Sequence, residues 1–341
     1  MFKVFASTPE SMGPGDIGAH AARAEALGFD GLTVPDAIHD GLLLAGFALN
    51  ATRKLQVATS VLVAFPRSPM VTAVAAWDLQ AMSGGRFILG LGTQIRQNIE
   101  DRYSAVWNKP VGQLREYVQS LRAIFHSFQT GEKLDFTGEH YRFTRLQPFF
   151  NPGPIAHPDI PLFCGAVGPD MTRMVGRVAD GLITHPTNTA PEYLRQVCLP
   201  RIQAGAEAAT DGPREHFQLL IGSLLATGRD AGSVAAEREK QRAMLGFLFS
   251  TPAYWPSLEL FGWQDTGPEL QKMTRTGRWK ELPDMISDTM LDTFVPTGTY
   301  GDIADILRER YAGLGDIITF HMPEDTRDDA LARDAILRLK A

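Results

Sequence analysis

Three histidines and one aspartate stand where short apolar runs give way to polar turns. Asp36 and His39 lie in Pro35-Asp36-Ala37-Ile38-His39-Asp40, directly after the apolar run at Gly31 to Pro35. His185 follows Gly181 to Thr184, and His321 follows Asp316 to Phe320. Imidazole titrates near neutral pH, so it can take or give a proton while a neighbouring bond breaks. Asp36, His39 and His185 are therefore the candidate catalytic residues. The competing reading of His39 is a hydrogen bond to loop backbone and nothing more. Convergent imidazoles can also bind a metal, but no H-x-H pair occurs and the first apolar run, Val4 to Ser7, ends without a ligand. No metal is expected. Schiff-base chemistry needs a lysine at a strand end, and all eight lysines lie elsewhere.

A second kind of chemistry is suggested by Gly165-Ala166-Val167-Gly168-Pro169-Asp170, small residues after a strand-like run and before a helical one. Backbone N–H groups in such a turn, with the helix dipole behind them, favour an anion. Small residues also occur wherever a strand turns tightly into a helix. The run Gly84 to Thr93 carries glycine pairs on both sides of a strand but opens no helix, so it is not a dinucleotide fingerprint.

These residues need a scaffold that brings strand ends together. Eight short runs read as strands: Lys3 to Ser7, Gly31 to Pro35, Leu55 to Val63, Phe87 to Leu91, Pro161 to Gly165, Gly181 to Thr184, Phe217 to Ala226 and Asp316 to Phe320. Several are apolar on both faces, as strands covered by helices must be. Between them run helical stripes. Ser68 is a cap and Pro69 a first helical residue, followed by Val71, Val74, Ala75, Leu79 and Met82 as the expected core face. Leu114, Tyr117, Val118, Leu121, Ile124 and Phe125 form another stripe, and Ile303, Ile306, Leu307, Tyr311 and Leu314 a third. Eight alternations predict a (β/α)8 TIM barrel, a single domain over residues 1–341, with insertions at about 93–111, 130–160 and 250–293.

Composition narrows the function. The 341 residues carry 33 Lys and Arg against 39 Asp and Glu, a formal net charge of -6, and no concentrated basic patch. Nucleic acid is not an expected partner. No apolar run approaches the roughly 18 residues that span a bilayer, the start at Met1 has no secretory pattern, and Cys164 and Cys198 form no framework. A cytoplasmic protein acting on a small molecule is expected.

The chain resembles the bacterial luciferase-like family, and within it the oxidoreductases that use the deazaflavin coenzyme F420. The residues that carry the likeness are Ala24 to Gly31, Ala58 to Val61, Arg67-Ser68-Pro69, Ser83 to Gly92, Gly138-Glu139-His140-Tyr141, Gly165 to Gly168, Ala179-Asp180-Gly181 and Pro296 to Thr299. Their order extends over roughly residues 1–320. The resemblance implies a bulge in the third strand with a non-proline cis peptide behind the cofactor ring, at Ser60-Val61. It implies cofactor contacts from Asp36, Ser60, Val61 and Thr93, and a phosphate on Gly165, Ala166, Val167 and Gly168. His39 with Asp40 resembles a His-Asp pair of that branch, although many relatives carry the histidine where this chain has Ala37. Ile95 stands where sugar-phosphate-oxidising relatives have a glutamate, so their substrate does not transfer.

The resemblance implies hydride transfer between F420 and a small organic substrate, because the deazaflavin ring passes two electrons as hydride. FMN is the alternative cofactor, with oxygen as co-substrate and a separate reductase as partner. A non-catalytic flavin-binding barrel is a further alternative, and a metal-dependent hydrolase a third. Arg67, Arg96 and Arg102 are candidates for an anionic substrate or cofactor tail, against a structural use for each. The family also implies a homodimer. The insertion from Ser250 to Thr293, with Trp255, Phe261, Trp263 and Trp279, reads either as a lid or as a packed excursion.

Overall fold

The structure is a computed structural model that describes residues 2–209 and 216–341. Eight parallel strands close a ring: β1 (Lys3–Ser7), β2 (Gly31–Val34), β3 (Gln56–Thr59), β4 (Phe87–Gly92), β5 (Leu162–Ala166), β6 (Gly181–Thr184), β7 (Gln218–Ile221) and β8 (Ile317–Phe320). Each pairs with its neighbours in chain order, and β8 pairs with β1 through Lys3 to Ile317 and Ala6 to Phe320. The expected barrel is the observed fold. Helices α1 (Ile17–Leu27), α2 (Gly41–Ala51), α3 (Pro69–Ser83), α4 (Pro110–Thr130), α5 (Pro169–Val178) and α6 (Leu199–Glu207) fill the successive crossovers. The connection from β7 to β8 holds α7 (Ala231–Phe249) and α8 (Ile303–Tyr311), and α9 (Asp329–Lys340) closes the described chain.

The barrel interior is packed by Phe5, Ala58, Ile88, Phe163, Ile183, Leu220 and Ile317, one from each strand but β2. On β2 the interior position is Gly31, where a Cβ would enter the Phe5 ring. Gly181 makes the same room for Phe163. Register is pinned at the strand starts by three carboxylates. Asp30 accepts from the Val4 amide at 2.9 Å, Asp180 from Leu162 at 2.8 Å and Asp316 from Leu219 at 2.8 Å. At the same end Arg86 donates to the carbonyls of Leu49, Thr52 and Leu55, tying α2 to β4.

Two strands differ from expectation. The run Leu55 to Val63 is broken at Ser60-Val61, whose peptide is cis, and resumes as a short strand at Leu62–Val63. Over the break the ladder is maintained by a side chain: the Thr59 hydroxyl donates to the Gly90 carbonyl at 2.8 Å and accepts from its amide at 2.9 Å. The run Phe217 to Ala226 is also two elements. Its barrel strand ends at Ile221, and Ala226–Gly228 pairs instead with Thr297–Thr299 in a separate parallel ribbon.

The third helix starts at the expected cap, with Ser68 accepting from the Met70 amide, and ends at Gly84 with φ 66°. Its rotation is not the expected one. Val71, Val74 and Met82 are 63%, 41% and 53% exposed, while Thr72, Ala73, Ala76 and Trp77 are buried. Trp77 decides this, because it has the largest apolar surface on the helix and packs 5.6 Å from Phe125 and 5.5 Å from Phe128 of α4. The stripes of α4 and α8 are buried as expected, Ile306 only partly.

The 130–160 connection carries a small hairpin, Phe136–Thr137 with Arg142–Phe143. Its Gly138-Glu139-His140-Tyr141 motif is anchored by Glu116, which accepts from the amides of Glu139 at 3.0 Å and His140 at 2.7 Å. The 250–293 insertion folds as helices Trp255–Leu260, Thr266–Arg275 and Asp288–Phe294, with 3₁₀ turns at Pro252–Tyr254 and Trp279–Met285. Trp255 donates to the Phe249 carbonyl at 2.9 Å, and Phe261 and Trp263 pack on Phe294. Among the described residues no helix is long and apolar enough to cross a membrane.

A Cβ on Gly90 would run into the Thr59 carbonyl oxygen, whereas one on Gly15 meets nothing within 4 Å. Gly90→Ala is expected to cost about 3 kcal/mol or more of stability and Gly15→Ala close to none, read from urea unfolding midpoints. Equal midpoints for the two variants would remove the close approach at Gly90 from the account.

Candidate active site

The C-terminal ends of the strands form the mouth of the barrel. The wall over β3 to β5 is built by one side chain. Val61, half-buried, projects against β4 and β5, where a Cβ on Gly92 would overlap its methyl group and one on Gly165 would lie 3.2 Å from it. Ser60 is held by its own amide, which donates to the Val34 carbonyl at 2.7 Å. Ser60, Val61, Gly165 and Gly168 are therefore on one rim, with Thr93 following Gly92 beside them. The Thr93 hydroxyl donates to the Gln94 carbonyl at 3.0 Å.

The turn after β5 is fixed from behind. The Val167 carbonyl accepts from Asn188 Nδ2 at 3.2 Å and from the Tyr193 hydroxyl at 3.3 Å, and both of those residues are buried. Gly168 caps α5 with an extended backbone and no side-chain partner, and nothing lies within 4 Å of its Cβ position. Pro169 has no N–H, so the amides of Asp170 and Met171 are the unpaired donors of the α5 first turn, and with the Cβ position of Gly168 open they suit a phosphate.

Asp36 is not a free carboxylate. It accepts from the amides of Gly41 and Val63, each at 2.9 Å, and pairs with Arg67 at 2.8 and 3.2 Å. Four donors fix the loop after β2 to the segment just past the Ser60-Val61 break. Arg67 also donates to Asp40 at 2.9 Å. Burial opposes the Arg67 charge, but Asp40 and Asp36 outweigh it and hold its pKa above the usual guanidinium value. Asp40 caps α2 through the amides of Leu42 and Leu43. It makes no hydrogen bond to His39, whose ring lies over the first loop, 3.5 Å from the Cβ position of Gly13. The two other arginines singled out in the sequence are also engaged. Arg102 donates to the Ala37 carbonyl at 2.7 Å, and Arg96 pairs with Glu100 at 2.9 Å.

His185 is held at Nδ1 by the Thr187 hydroxyl at 2.8 Å. Tyr254, from the insertion, covers one face of the ring at a centroid distance of 4.0 Å and 13°. Desolvation pushes its pKa down to about 4, so the ring is neutral at physiological pH and offers Nε2. Tyr254 had no local signal in the sequence. Ser7 was also missed: its hydroxyl bonds His321 Nδ1 at 2.6 Å, and its carbonyl accepts from His20 Nε2 at 3.3 Å. Among the described residues no three His, Cys, Asp or Glu side chains converge as a metal site. A separate depression of about 840 Å³ lies at the opposite end of the barrel, around Arg122, Pro158, Phe163 and Gln218.

The sequence profile described as luciferase-like monooxygenase matches residues 1–316. The chain belongs to the luciferase-like family. A Mycobacterium tuberculosis protein described as uncharacterized is 41% identical over 296 residues, 87% of this chain and 86% of its own. An F420-dependent glucose-6-phosphate dehydrogenase of Nakamurella multipartita is 33% identical over 216 residues, 60% of this chain and 62% of its own. Among solved structures, the coenzyme F420-dependent tetrahydromethanopterin reductase of Methanopyrus kandleri superposes with a TM-score of 0.79 at 17% identity, covering 99% of this chain and 97% of that one. At that identity the superposition speaks for the luciferase-like barrel alone.

The neutral His185 generates a pH prediction. The unfolded imidazole titrates near 6.5, and the folded one stays unprotonated down to about 4. Between those values the unfolded state binds the extra proton, so stability falls as pH drops through the window. His20 and His321, both lowered chiefly by desolvation, act with the same sign. Urea midpoints at pH 7 and pH 5 should show this loss, and His185→Gln should reduce it. An unchanged slope in the variant would mean His185 is protonated in the fold.

Proposed function

We propose that the chain is an oxidoreductase that transfers hydride between F420 and a small organic substrate held in the barrel mouth. The observation that carries this reading is the shared rim: the Val61 wall stands beside the open amide cradle at Gly168, as a planar ring with a phosphate tail requires. Similarity to proteins described as F420-dependent supports the choice of cofactor. When bound, the deazaflavin supplies a carbon centre that accepts or gives a hydride.

The residues divide the remaining work. Ser60, Val61 and Thr93 would back the ring, and Gly165, Ala166, Val167 and Gly168 would hold the phosphate. Asp36 serves through Arg67 and Val63 as a positioning residue for the wall. In the oxidising direction His39 takes the hydroxyl proton of an alcohol substrate as the carbinol carbon becomes a carbonyl carbon, and the bound deazaflavin would be the acceptor of the hydride that carbon gives up. Reduction runs the same transfers in reverse. His185, neutral and fixed by Thr187 and Tyr254, hydrogen-bonds the substrate through Nε2. The barrel mouth supplies orientation, which is worth most when the donor carbon is held close to the acceptor.

The oligomer in this reading is a homodimer. α2 has no charged residue, and its Leu43 and Phe47 are 50% and 45% exposed beside the outward stripe of α3. This apolar face, interrupted on α3 only by the exposed Asp78, is best covered by its own copy.

Two measurements test these points. Equilibrium titration with F420 and FMN side by side should give tighter F420 binding, with His39→Ala lowering turnover about a hundredfold and leaving that binding intact. FMN binding with oxygen consumption in the presence of a reductase would replace the reading by a flavin monooxygenase, and cofactor retention without turnover by a non-catalytic barrel. In light scattering, Leu43→Glu combined with Val71→Glu should convert a dimer to a monomer. A variant that stays dimeric would move the contact elsewhere.

A further inference from the structure

The barrel ring puts β8 four strands from β4 in either direction, so the residues after β8 face the Val61 wall across the mouth. His321 is the first of them, and it is tied to the end of β1 by the 2.6 Å bond from Nδ1 to the Ser7 hydroxyl. This pair is not needed to close the barrel. Backbone pairing of β1 with β8 is continuous from Lys3 with Ile317 to Ala6 with Phe320. The Ser7 strand end is itself steadied by His20 of α1, whose Nε2 donates to the Ser7 carbonyl.

His321 keeps an exposed side chain at the end of β8, so its ring is open to the barrel mouth. Its Nε2 makes no hydrogen bond among the described residues, although Nδ1 is engaged. The surrounding protein lowers its pKa by desolvation. The charge that works against this is Glu237 of α7, itself engaged by Lys240 and Gln241. The ring therefore remains neutral near pH 7. His185, two strand ends away on one side of the ring, is neutral for the same reason.

Positive charge is scarce in the same space. Arg67 is consumed by Asp36 and Asp40, Arg102 by the Ala37 carbonyl, and Arg23, near His20, by Asp329 and the Pro323 carbonyl. An anionic substrate would find Arg67 and Arg23 already neutralised by carboxylates, with only Arg102, exposed and tied to the Ala37 carbonyl, left to attract it, and it would lose hydration for little compensating charge. A hydroxyl or carbonyl oxygen needs only one or two neutral hydrogen-bond partners.

We propose that Ser7 and His321 form a substrate-binding dyad, in which His321 presents Nε2 to the oxygen of an uncharged alcohol or carbonyl compound lying across the mouth from the Val61 wall. This deepens the oxidoreductase reading and rests on it for the identity of the bound molecule as substrate. Ser7 is a positioning residue, since it acts through the imidazole. His321 is the contact.

The dyad is tested on the 341-residue chain without cofactor, so that failure to take up F420 is scored separately. Histidine labelled at Cε1 is followed by NMR, with the His321 signal assigned from the substituted proteins, during titration with cyclohexanol, cyclohexanone and cyclohexanecarboxylate. The two neutral probes should shift the His321 signal, and the carboxylate should bind at least about fivefold more weakly. Loss of one hydrogen bond corresponds to roughly fivefold in affinity, so Ser7→Ala should weaken the neutral probes by about that factor. His321→Asn, whose amide replaces Nδ1 but not Nε2, should lose their binding, and His321→Gln, whose amide reaches the place of Nε2, should keep part of it. A merely structural role would leave Asn as good as Gln. Carboxylate binding as tight as the neutral probes, or neutral binding unchanged in both His321 variants, would overturn the proposal. F420 uptake measured on the same samples reports independently on the parent reading.

Discussion

The close approach of β3 to β4 and β5 at the barrel mouth governs the rest of the molecule. The Thr59 carbonyl occupies the space a Cβ on Gly90 would fill, and Val61 occupies the space over Gly92 and beside Gly165. Three glycines on two neighbouring strands let one backbone segment move inward and leave a flat, half-exposed wall. The displaced ladder is repaired by the Thr59 hydroxyl, and the segment beyond the break is tied down by Asp36 and Arg67. A buried amide or carboxylate left without these partners would cost about 1–3 kcal/mol or more, so the site's shape is maintained by satisfied polar groups as much as by apolar packing.

The residues that carry the family likeness fall at both ends of the barrel and do different things. Asp30, Arg86 and Asp180 work at the strand starts, where they satisfy amides and carbonyls of neighbouring elements. Gly138 and the residues after it fasten a connection to Glu116. Thr297 to Thr299 form an accessory ribbon with Ala226 to Gly228. Only Ser60, Val61, Arg67, Gly92 and the turn at Gly165 to Gly168 lie at the mouth. Likeness in sequence here measures the stability of the barrel as much as its chemistry, which agrees with the way stability and function divide between the two faces of such barrels.

The barrel was legible because its strands are short β-branched runs between helices with one apolar face. The stripe of α4 read correctly, since Arg115, Arg122 and Gln129 occupy its other side. The stripe of α3 misled because both sides are apolar, and the choice between them is made by Trp77 meeting Phe125 and Phe128 from a different helix. The turn at Gly168 was visible as a local pattern of small residues. The contacts that fix it, from Asn188 and Tyr193, lie 21 and 26 residues away, and Ser7 is 314 residues from His321. Periodicity is blind to such pairs. It also misses Asp36 with Arg67, separated by 31 residues, and so read Asp36 as a free acid when its oxygens are already occupied.

The central claim is the place of the cofactor, and a crystal structure of the chain soaked with F420 tests it most directly. The account predicts difference density for the ring against Ser60 and Val61, with the phosphate at the amides that follow Gly168. Density for the ring at the far end of the barrel, in the depression around Arg122 and Gln218, would contradict it.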